Sequence, residues 1–300
     1  MDIVLSVVIP MHNGESTIRQ ALSSFGAQHA PPPFEVVVVD NRSTDGSAEE
    51  VRDFAATSPF PVRLVEAHER AGAAYARNTG AQNAASQRLV FCDCDDTYDP
   101  WFLNAMNEAL DHADIVAASH ERPDEYAAGL ASSPVDQRGA PHAPQFNLLG
   151  YLPTGGGGGL GVQRQHWQAV GGFDNSYRRG AEDNDFYWRV QEAGGVMLAA
   201  PRAIVIYRHR ETLDGTFRQY LSYRRGATLL QARFDVGDRV TLAGSLRHLA
   251  QTVLSAPRLV RTEAGRRSLA AQLGGITGSI LGLVRHQLLR RIPPRELMTS

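Results

Sequence analysis

Four short apolar runs within the first 91 residues constrain the fold more than any other feature of the chain. They cover residues 5–10, 34–39, 62–65 and 89–91, and segments with helical spacing separate them. Runs of this length that are apolar on both faces are typical of strands buried inside a sheet. Strands that alternate with helices favour βαβ units. The sequence therefore predicts an α/β fold with a mostly parallel central sheet flanked by helices.

Carboxylates directly follow two of these predicted strands. Asp40 ends the second run, and Asp93, Asp95 and Asp96 follow the fourth. Right-handed crossovers bring the C-terminal ends of parallel strands to one edge, where open α/β sheets bind ligands. Three carboxylates this close repel one another, and a divalent ion such as Mg²⁺ or Mn²⁺ would relieve the repulsion. Taken by itself, the cluster of three favours a solvated acidic turn over a binding site.

A second acidic cluster, Glu182 and Asp183, opens a predicted helix that stops at Gly194. Carboxylates near a helix N-terminus are favoured by the helix dipole, so capping alone would explain this cluster in isolation. Together with the acids at two strand ends, it instead forms a set that favours a functional site.

Two segments between these clusters leave alternatives open. Five consecutive glycines at residues 155–159 are by default a flexible linker. Their place ahead of a predicted helix at residues 165–170 also fits close backbone approach to a ligand. Residues 120–150 are polar, rich in Pro, Ala and Ser, and without periodicity, which predicts a long loop.

Composition places the chain among soluble globular proteins, with 300 residues of which 43% are hydrophobic and 21% charged. The two cysteines, Cys92 and Cys94, lie two positions apart in a strand-like stretch, which argues against a disulfide framework and favours a reducing compartment. No secretory signal precedes the first strand, so we expect a cytoplasmic protein. All 30 basic residues are arginine, so any cationic side chain that contacts a phosphate must present a guanidinium fork.

The positive charge is concentrated towards the C-terminal end. Residues 241–300 hold 9 Arg against 2 acids, whereas the first 240 residues are acidic overall. Residues 241–291 combine helical apolar spacing with Arg, and the uncharged span 268–284 is shorter than the about 20 apolar residues that a membrane span needs. We therefore expect an amphipathic basic segment on the anionic inner surface of a membrane. The alternative is a helical subdomain that packs on the body or on the partner in a homodimer.

Several function classes are disfavoured by missing motifs. No Gly-x-Gly-x-x-Gly follows the first strand and no P-loop is present, which argues against a dinucleotide dehydrogenase and a P-loop kinase. A nucleotidyltransferase would need an Arg/Gly-rich triphosphate loop after the first strand, and residues 11–14 do not form one. Nucleic-acid binding is disfavoured because the body is acidic and the basic tail lacks interleaved aromatic residues.

A series of motifs in fixed order resembles glycosyltransferase family 2, whose members are inverting enzymes with the GT-A fold. The resemblance covers residues 6–210. Its motifs are, in chain order, residues 6–10 with Asn13 and Glu15, residues 39–46, residues 76–80, residues 93–96, residues 171–174 with Glu182 and Asp183, and His209. One such motif would be weak evidence, whereas six in family order are strong.

The chain departs from the family pattern at two places. Asn41 stands where the family usually has a second acid, which puts a charge-based role at that position in doubt. The Gln-x-x-Arg-Trp motif of the processive members is absent after Asp183, so we expect transfer of a single sugar.

The resemblance implies a nucleotide-diphosphate sugar as donor, with a UDP-sugar favoured, and Mn²⁺ or Mg²⁺ as cofactor. It implies that Asp183 is the general base and that Asp95 and His209 hold the metal. Glu182, Trp167 and Trp188 are candidates for the acceptor side, although aromatic residues at such positions are more often part of the core. The residues implied to bind the nucleotide sugar are Pro10, Asn13, Glu15, Asp40, Arg77, Asn78, Asp93 and Asp95.

Two units follow from this interpretation: a GT-A catalytic domain at residues 1–212 and a basic helical extension at residues 213–300. The expected acceptor is a cell-envelope glycan, a lipid-linked saccharide or a glycosylated metabolite. The alternative function is a scaffold of the same fold that binds nucleotide sugars and has lost turnover, for which Asn41 is the reason for caution.

Overall fold

The structure is a computed structural model, and it describes residues 2–132, 139–144, 147–178, 180–210, 212–237 and 239–298. Its centre is an eight-stranded sheet with the strand order β3-β2-β1-β4-β7-β6-β8-β5. The strands are β1 Leu5–Met11, β2 Phe34–Asp40, β3 Val62–Glu66, β4 Arg88–Phe91, β5 Thr97–Tyr98, β6 Ile115–Glu121, β7 Leu160–Gln163 and β8 Met197–Ile206.

Ten α-helices accompany these strands within the described residues. They are α1 Ile18–Gly26, α2 Ser47–Thr57, α3 Ala73–Asn83, α4 Phe102–Leu110, α5 Pro123–Ser132, α6 Arg164–Ala169, α7 Glu182–Glu192, α8 Leu213–Phe234, α9 Leu242–Leu259 and α10 Glu263–Leu283. A 3₁₀ turn covers Leu148–Gly150, and a π-helical turn, Val284–Leu288, continues α10.

The first four strands form the parallel half of the sheet, as predicted. Every residue of β2 is buried, and its valines alternate between two cores: Val36 and Val38 belong to the cluster on one face, Val37 and Val39 to the cluster on the other. Each fully buried valine contributes roughly 1.5–3 kcal/mol. The two-sided apolar run therefore fixes β2 as a central strand, and its pairing puts Met11 opposite Asp40 at one edge.

The second half of the sheet is mixed, with β6 parallel to β8 and three antiparallel pairs, so parallel pairs remain the majority among the described strands, as expected. β7 pairs antiparallel with both β4 and β6, and β5 pairs antiparallel with β8. β7 was not predicted, because it is short, follows the glycine run and contains Gly161. The glycine is required by packing, since an added Cβ there would lie 2.8 Å from the side chain of Met106. The prediction of a long loop over residues 120–150 is partly wrong, because α5 lies within it. Residues 133–138 and 145–146 lie outside the described residues.

The C-terminal helices pack closely through small residues, and their helical character was predicted. An added Cβ at Gly274 or Gly278 of α10 would collide with carbonyl oxygens of α8, so the glycine-rich span is an interface between helices. No helix in the described part of the chain is long and apolar enough to cross a membrane. α8 begins at Leu213; the division of the chain at residue 212 stays a prediction.

Candidate active site

A cleft of about 750 Å³ lies at the C-terminal ends of β1, β2 and β4. Its walls are the loops after these three strands and the start of α3, as the acids at the strand ends predicted. The predicted residues that line it are Pro10, Asn13, Arg77, Asp93 and Asp95. Glu15, Asp40 and Asn78 lie outside its lining.

Asp40 lies at the end of β2 and is held by its neighbours. Its Oδ2 is 3.0 Å from Nε2 of His68, and its Oδ1 accepts a hydrogen bond of 3.1 Å from the backbone N–H of Ser43. Burial alone would raise the pKa of Asp40, but the hydrogen bonds from Ser43 and His68 outweigh it and lower that pKa. Asp40 is therefore an ionised carboxylate next to the cleft.

Asn41, the departure from the family pattern, has a structural explanation. Its Nδ2 donates to the carbonyls of Ala67 and Arg70, and its Oδ1 accepts from the backbone N–H of Gly72 at 2.8 Å. A carboxylate at this position could not donate the first two bonds. Asn41 thus holds residues 67–72, the segment that leads into α3 and lines the cleft at Gly72.

Asn13 and Glu15 connect the loop after β1 to the loop after β2. Oδ1 of Asn13 accepts from the backbone N–H of Thr44 at 2.8 Å, and Oε2 of Glu15 accepts from the backbone N–H of Gly46 at 3.2 Å. Both side chains are exposed at the rim. They shape the entrance to the cleft by fixing the relative positions of its two loops.

Arg77 joins the two acidic clusters that the sequence separates by about ninety residues. The guanidinium is buried, with Nη2 2.9 Å from Oδ1 of Asp93 and Nη1 2.9 Å from Oε1 of Glu182. Burial would lower the pKa of Arg77, but Asp93 and Glu182 outweigh it and raise that pKa. Among the described residues, Nε of Arg77 and Oε2 of Glu182 are buried without a hydrogen-bond partner. Arg77 therefore fixes the position of α7 relative to the cleft.

The glycine run lies directly on this bridge. An added Cβ at Gly157 would be 2.7 Å from Nη2 of Arg77, and one at Gly158 would be 2.9 Å from Oδ2 of Asp93. Gly159 has a φ of +91°, and its N–H donates to the carbonyl of Phe91 at 2.7 Å. The run is therefore an ordered segment, and what it approaches closely is the Arg77–Asp93 ion pair.

The remaining two acids of the first cluster have different surroundings. Oδ2 of Asp95 is 2.8 Å from Nη1 of Arg210, and Oδ1 of Asp96 accepts from the backbone N–H of Arg208 at 2.9 Å. Burial, and then the charge of Asp93, raises the pKa of Asp95 and raises the pKa of Asp96 to about 8. Asp96 is buried and does not line the cleft, whereas Asp95 does.

This edge fits a divalent ion that is shared with a bound ligand. Within the described residues, no three His, Cys, Asp or Glu side chains converge on a complete metal site. Asp93 and Asp95 both line the cleft, and Mg²⁺ commonly binds through one or two carboxylates plus substrate phosphates. His209 is exposed with its ring 4.9 Å from that of Tyr207, and its neighbour Arg210 contacts Asp95. A ligand role for His209 stays a prediction.

Asp183 lies in the first turn of α7 and is partly buried. Its Oδ1 accepts from the backbone N–H of Asn184 at 2.8 Å and from Nδ2 of the same residue at 2.6 Å. Burial, and then the adjacent charge of Glu182, raises the pKa of Asp183 to about 7, against the opposing effect of Arg77. A carboxyl group with such a pKa can hold and release a proton near neutral pH.

α7 is held on its other side by the C-terminal segment, residues 290–298. Asp185 is fully buried and pairs with Nε of Arg189 and Nη1 of Arg295, each at 2.6 Å. In the same region, Oδ1 of Asp174 accepts from the backbone N–H of Glu296 at 2.9 Å. Residues far apart in the sequence thus meet beneath the turn that carries Asp183.

Three of the predicted ligand-contacting residues are buried in the protein. Asn78 is buried, donates from Nδ2 to the carbonyl of Phe173 and accepts from the N–H of the same residue, both at 2.8 Å. Trp167 and Trp188 are 2% and 0% exposed, and Nε1 of Trp188 donates to the carbonyl of Leu152. Neither ring presents an open face to a ligand in this structure. The acceptor-side role of the two tryptophans and nucleotide contact by Asn78 stay predictions.

Sequence reasoning missed three arginines of this region. Arg178 and Arg210 line the cleft, and Arg295 pairs with Asp185. Arg178 lies four residues after the motif at 171–174 and Arg210 directly follows His209, which was a usable signal. No local pattern pointed to Arg295.

The fold, together with the carboxylates at the C-terminal ends of its strands, points to a class of protein. Most of the chain aligns with solved GT-A structures. Mannosyltransferase PcManGT from Pyrobaculum calidifontis, in complex with GDP-Man and Mn²⁺, has a TM-score of 0.67 at 21% identity, over 94% of this chain and 88% of that one. S. aureus TarS 1-349 in complex with UDP has a TM-score of 0.55 at 17% identity, over 95% and 92%. At these identities the likeness establishes a shared fold.

The sequence comparisons identify the family. The model of Glycosyl transferase family 2 matches residues 6–155, and that of Glycosyl transferase family group 2 matches residues 89–280. The chain belongs to glycosyltransferase family 2. Membership in this family argues against the alternative that the protein is a nucleotidyltransferase.

Two curated relatives extend over most of this chain. The pre-mycofactocin glycosyltransferase of Mycobacterium tuberculosis is 30% identical over 76% of this chain and 48% of its own length. The succinoglycan biosynthesis protein ExoA of Rhizobium meliloti is 27% identical over 73% and 68%. The chain therefore spans about half the length of the pre-mycofactocin relative.

Proposed function

We propose that the protein is an inverting, metal-dependent, non-processive glycosyltransferase that moves one sugar from a nucleotide-diphosphate sugar, with a UDP-sugar favoured, to an acceptor hydroxyl. The observation that carries the proposal is the Arg77 bridge. It joins Asp93 of the cleft to Glu182, the neighbour of Asp183. A donor site and a candidate base are thereby held in one rigid arrangement.

On the donor side, Asp40, Pro10, Asn13 and Glu15 would shape the pocket for the base and ribose. Asp93 would lie towards the ribose. The solved structures of PcManGT and of GalNAc-T7 contain Mn²⁺, and a hard cation suits the carboxylates found here. We assign Asp95, with His209 as a further ligand, to Mn²⁺ or Mg²⁺, which would neutralise charge on the leaving diphosphate.

On the acceptor side, Asp183 would take the proton from the attacking hydroxyl. A general base of this kind contributes roughly 10²–10⁴-fold to the rate. The raised pKa of Asp183 suits a group that gains a proton as the hydroxyl attacks. Attack on the face of the sugar opposite the diphosphate inverts the anomeric centre.

The names of the two relatives support a glycan or a modified metabolite as the acceptor. One relative is named a succinoglycan biosynthesis protein, and the other is named a pre-mycofactocin glycosyltransferase. We extend this to a cell-envelope glycan, a lipid-linked saccharide or a glycosylated metabolite.

The experiment that tests the donor is a thermal-shift panel of UDP-, GDP-, CDP- and dTDP-sugars, each with and without Mn²⁺. Metal-dependent stabilisation by one of them would name the donor class. A ligand at 100 times its Kd adds about 2.7 kcal/mol of stability. No shift with any nucleotide sugar would instead favour the scaffold alternative.

We also propose that α9 lies on an anionic membrane surface. Its large apolar side chains point outward: Leu246, Val253 and Leu254 are 51%, 61% and 80% exposed. Its inward-facing side is small and polar, with Ser245 and Thr252 buried. Helical spacing puts the exposed apolar stripe beside Arg247 and the other arginines of the segment, an arrangement typical of a helix at the boundary between lipid headgroups and acyl chains.

Vesicle co-sedimentation tests this second proposal. The wild-type protein should bind vesicles of phosphatidylglycerol and phosphatidylcholine at low salt, and less at high salt because the charge contribution is screened. The double variant Val253→Gln, Leu254→Gln should lose binding. Val196→Gln is a matched control, since Val196 is 54% exposed on the catalytic body. Absence of wild-type binding at low salt would refute the membrane surface and leave a homodimer interface as the explanation to examine.

A further inference from the structure

A second cavity, of about 440 Å³, lies between the catalytic body and the C-terminal helices. Its walls come from the loop before α7, from α8 and from the π-helical turn after α10. Four arginines line it: Arg178, Arg218, Arg225 and Arg285. Its lining contains no Asp or Glu among the described residues. We call it the arginine cavity.

The charges of the arginine cavity are only partly neutralised. Arg218 pairs with Asp214 at 2.8 Å on the exposed surface, and Arg178 is 3.7 Å from Glu296. For Arg225 and Arg285, no carboxylate lies within ion-pair distance in the described part of the chain. Like charges gathered in one concave site repel one another, and a bound anion would relieve that repulsion.

His286, in the wall of the same cavity, senses these charges. It is buried, and its Nδ1 donates to the carbonyl of Arg291 at 3.1 Å. Burial lowers the pKa of His286, against the effect of its hydrogen bond to Arg291, and the charges of Arg285, Arg225 and Arg233 lower it further. Arg285 and Arg225, which both line the cavity, thus lie close enough to His286 to disfavour its charged form.

The arginine cavity adjoins both parts of the proposed site. Arg178 lines this cavity and also the donor cleft. Gly180 lines it as well, three residues before Asp183, and an added Cβ at Gly226 of α8 would be 2.6 Å from Cβ of Ala181. A molecule held here is therefore next to the loop that leads into the first turn of α7, where the candidate base lies.

We propose that the arginine cavity binds a phosphate or diphosphate group of the acceptor, so that the acceptor substrate is a phosphorylated molecule. This inference rests on the proposed function, because an acceptor exists only if the protein transfers a sugar. Arginine forks match phosphate oxygens in a bidentate way and need no metal. The donor cleft also has arginines in its lining, but the carboxylates of Asp93 and Asp95 lie among them and favour binding of a diphosphate through a cation. The two sites thus differ in how they bind phosphate.

The test measures phosphate binding by calorimetry, in EDTA so that no metal supports binding in the donor cleft. The probes are inorganic phosphate, pyrophosphate and dihexanoyl phosphatidic acid below its micellar concentration. Wild-type protein should bind at least one of them saturably. Arg225→Gln and Arg285→Gln should each weaken that binding roughly tenfold, since each removes a charged hydrogen-bonding group. Arg52→Gln, on the exposed face of α2, is the control and should leave binding unchanged.

The outcomes separate the sources of the phosphate and the two proposals. Binding of phosphatidic acid alone would support a lipid-linked phosphate, and binding of pyrophosphate or phosphate would support a soluble or diphosphate-bearing acceptor. Equal affinity in the wild type and both variants, or no saturable binding of any probe, would overturn the arginine cavity as a phosphate site. Thermal shifts with UDP and Mn²⁺ should be unchanged in both variants. If the wild type shows no metal-dependent shift with any of the four nucleotide-sugar classes, the donor assignment is refuted and the phosphate result stands.

Discussion

The donor cleft and the C-terminal helices position their side chains in different ways. In the donor half, the register of parallel strands carries Asp40 and Asp93 to one edge, and hydrogen bonds between neighbouring loops fix the rim. In the C-terminal half, helices meet through glycines, and single ion pairs such as Arg295–Asp185 reach back to the body. α7 lies between the two, with Arg77 on Glu182 and Arg295 on Asp185.

This difference indicates how the site tolerates change. A sheet edge is determined by many strand contacts at once, so one loop residue can vary while the edge stays in place. The α7 position depends instead on a few buried charges supplied from both halves. We therefore expect catalysis to be most sensitive at α7 and at the arginines that hold it.

The largest effect is expected from Asp183→Asn. The amide keeps the shape of the side chain but cannot accept the proton, so kcat should fall roughly 10²–10⁴-fold. Thermal stabilisation of the variant protein by the nucleotide sugar and Mn²⁺ should persist. Asp53→Asn, an exposed change on α2, is the control. Near-normal turnover of Asp183→Asn would show that another group is the base.

The second comparison sets Arg77→Gln against Arg295→Gln. Arg77 is buried between two carboxylates, and its loss leaves Asp93 and Glu182 without their cation, so stability should fall by about 3–5 kcal/mol. Arg295 is partly exposed, and Asp185 keeps its bond to Arg189, so about 1 kcal/mol is expected. Chemical denaturation measures both. Equal losses would mean that the two halves hold α7 equally.

A third pair of variants compares glycines in the two halves. Gly278→Ala would drive a Cβ into the backbone carbonyl of Leu221, and the helices α8 and α10 would have to separate. Such overpacking typically costs about 1–3 kcal/mol. Gly157→Ala meets the end of the Arg77 side chain, so it should lower turnover more than stability. Gly26→Ala has room, with its nearest side-chain atom at 3.7 Å, and serves as the control.

The donor half could be predicted well because its signals are local. An apolar run that ends in an acid determines both a buried strand and the residue at its C-terminal end, as Val39 and Asp40 illustrate. The motif order then led to Asp93, Asp95 and Asp183. Motif membership did not reveal side-chain direction, however, and Asn78 proved to hold the turn at Phe173.

The mixed part of the sheet and the C-terminal half could not be predicted as well, for physical reasons. β7 has too few residues and too many glycines around it to show a strand pattern, and it is held by packing against Met106. The Arg295–Asp185 pair joins residues 110 positions apart, which no local spacing encodes. α9 does have a clear amphipathic pattern, but only the structure reveals that its apolar stripe faces outward.

A prediction about pH tests whether the charge of ionised Asp183 destabilises α7. The pKa of Asp183 is raised to about 7 by burial and by Glu182, so the folded state binds the proton more tightly than the unfolded state does. The stability that protonation contributes is fully present at low pH and is lost as pH rises through about 7. Wild-type activity should rise over the same interval, because the ionised form is the base. Asp183→Asn carries no charge here, so its Tm should exceed that of the wild type at pH 8 and approach it at pH 5. If the two proteins differ in Tm by the same amount at both pH values, Asp183 does not carry the raised pKa, and the stability cost belongs to another group in the Glu182–Arg77 arrangement.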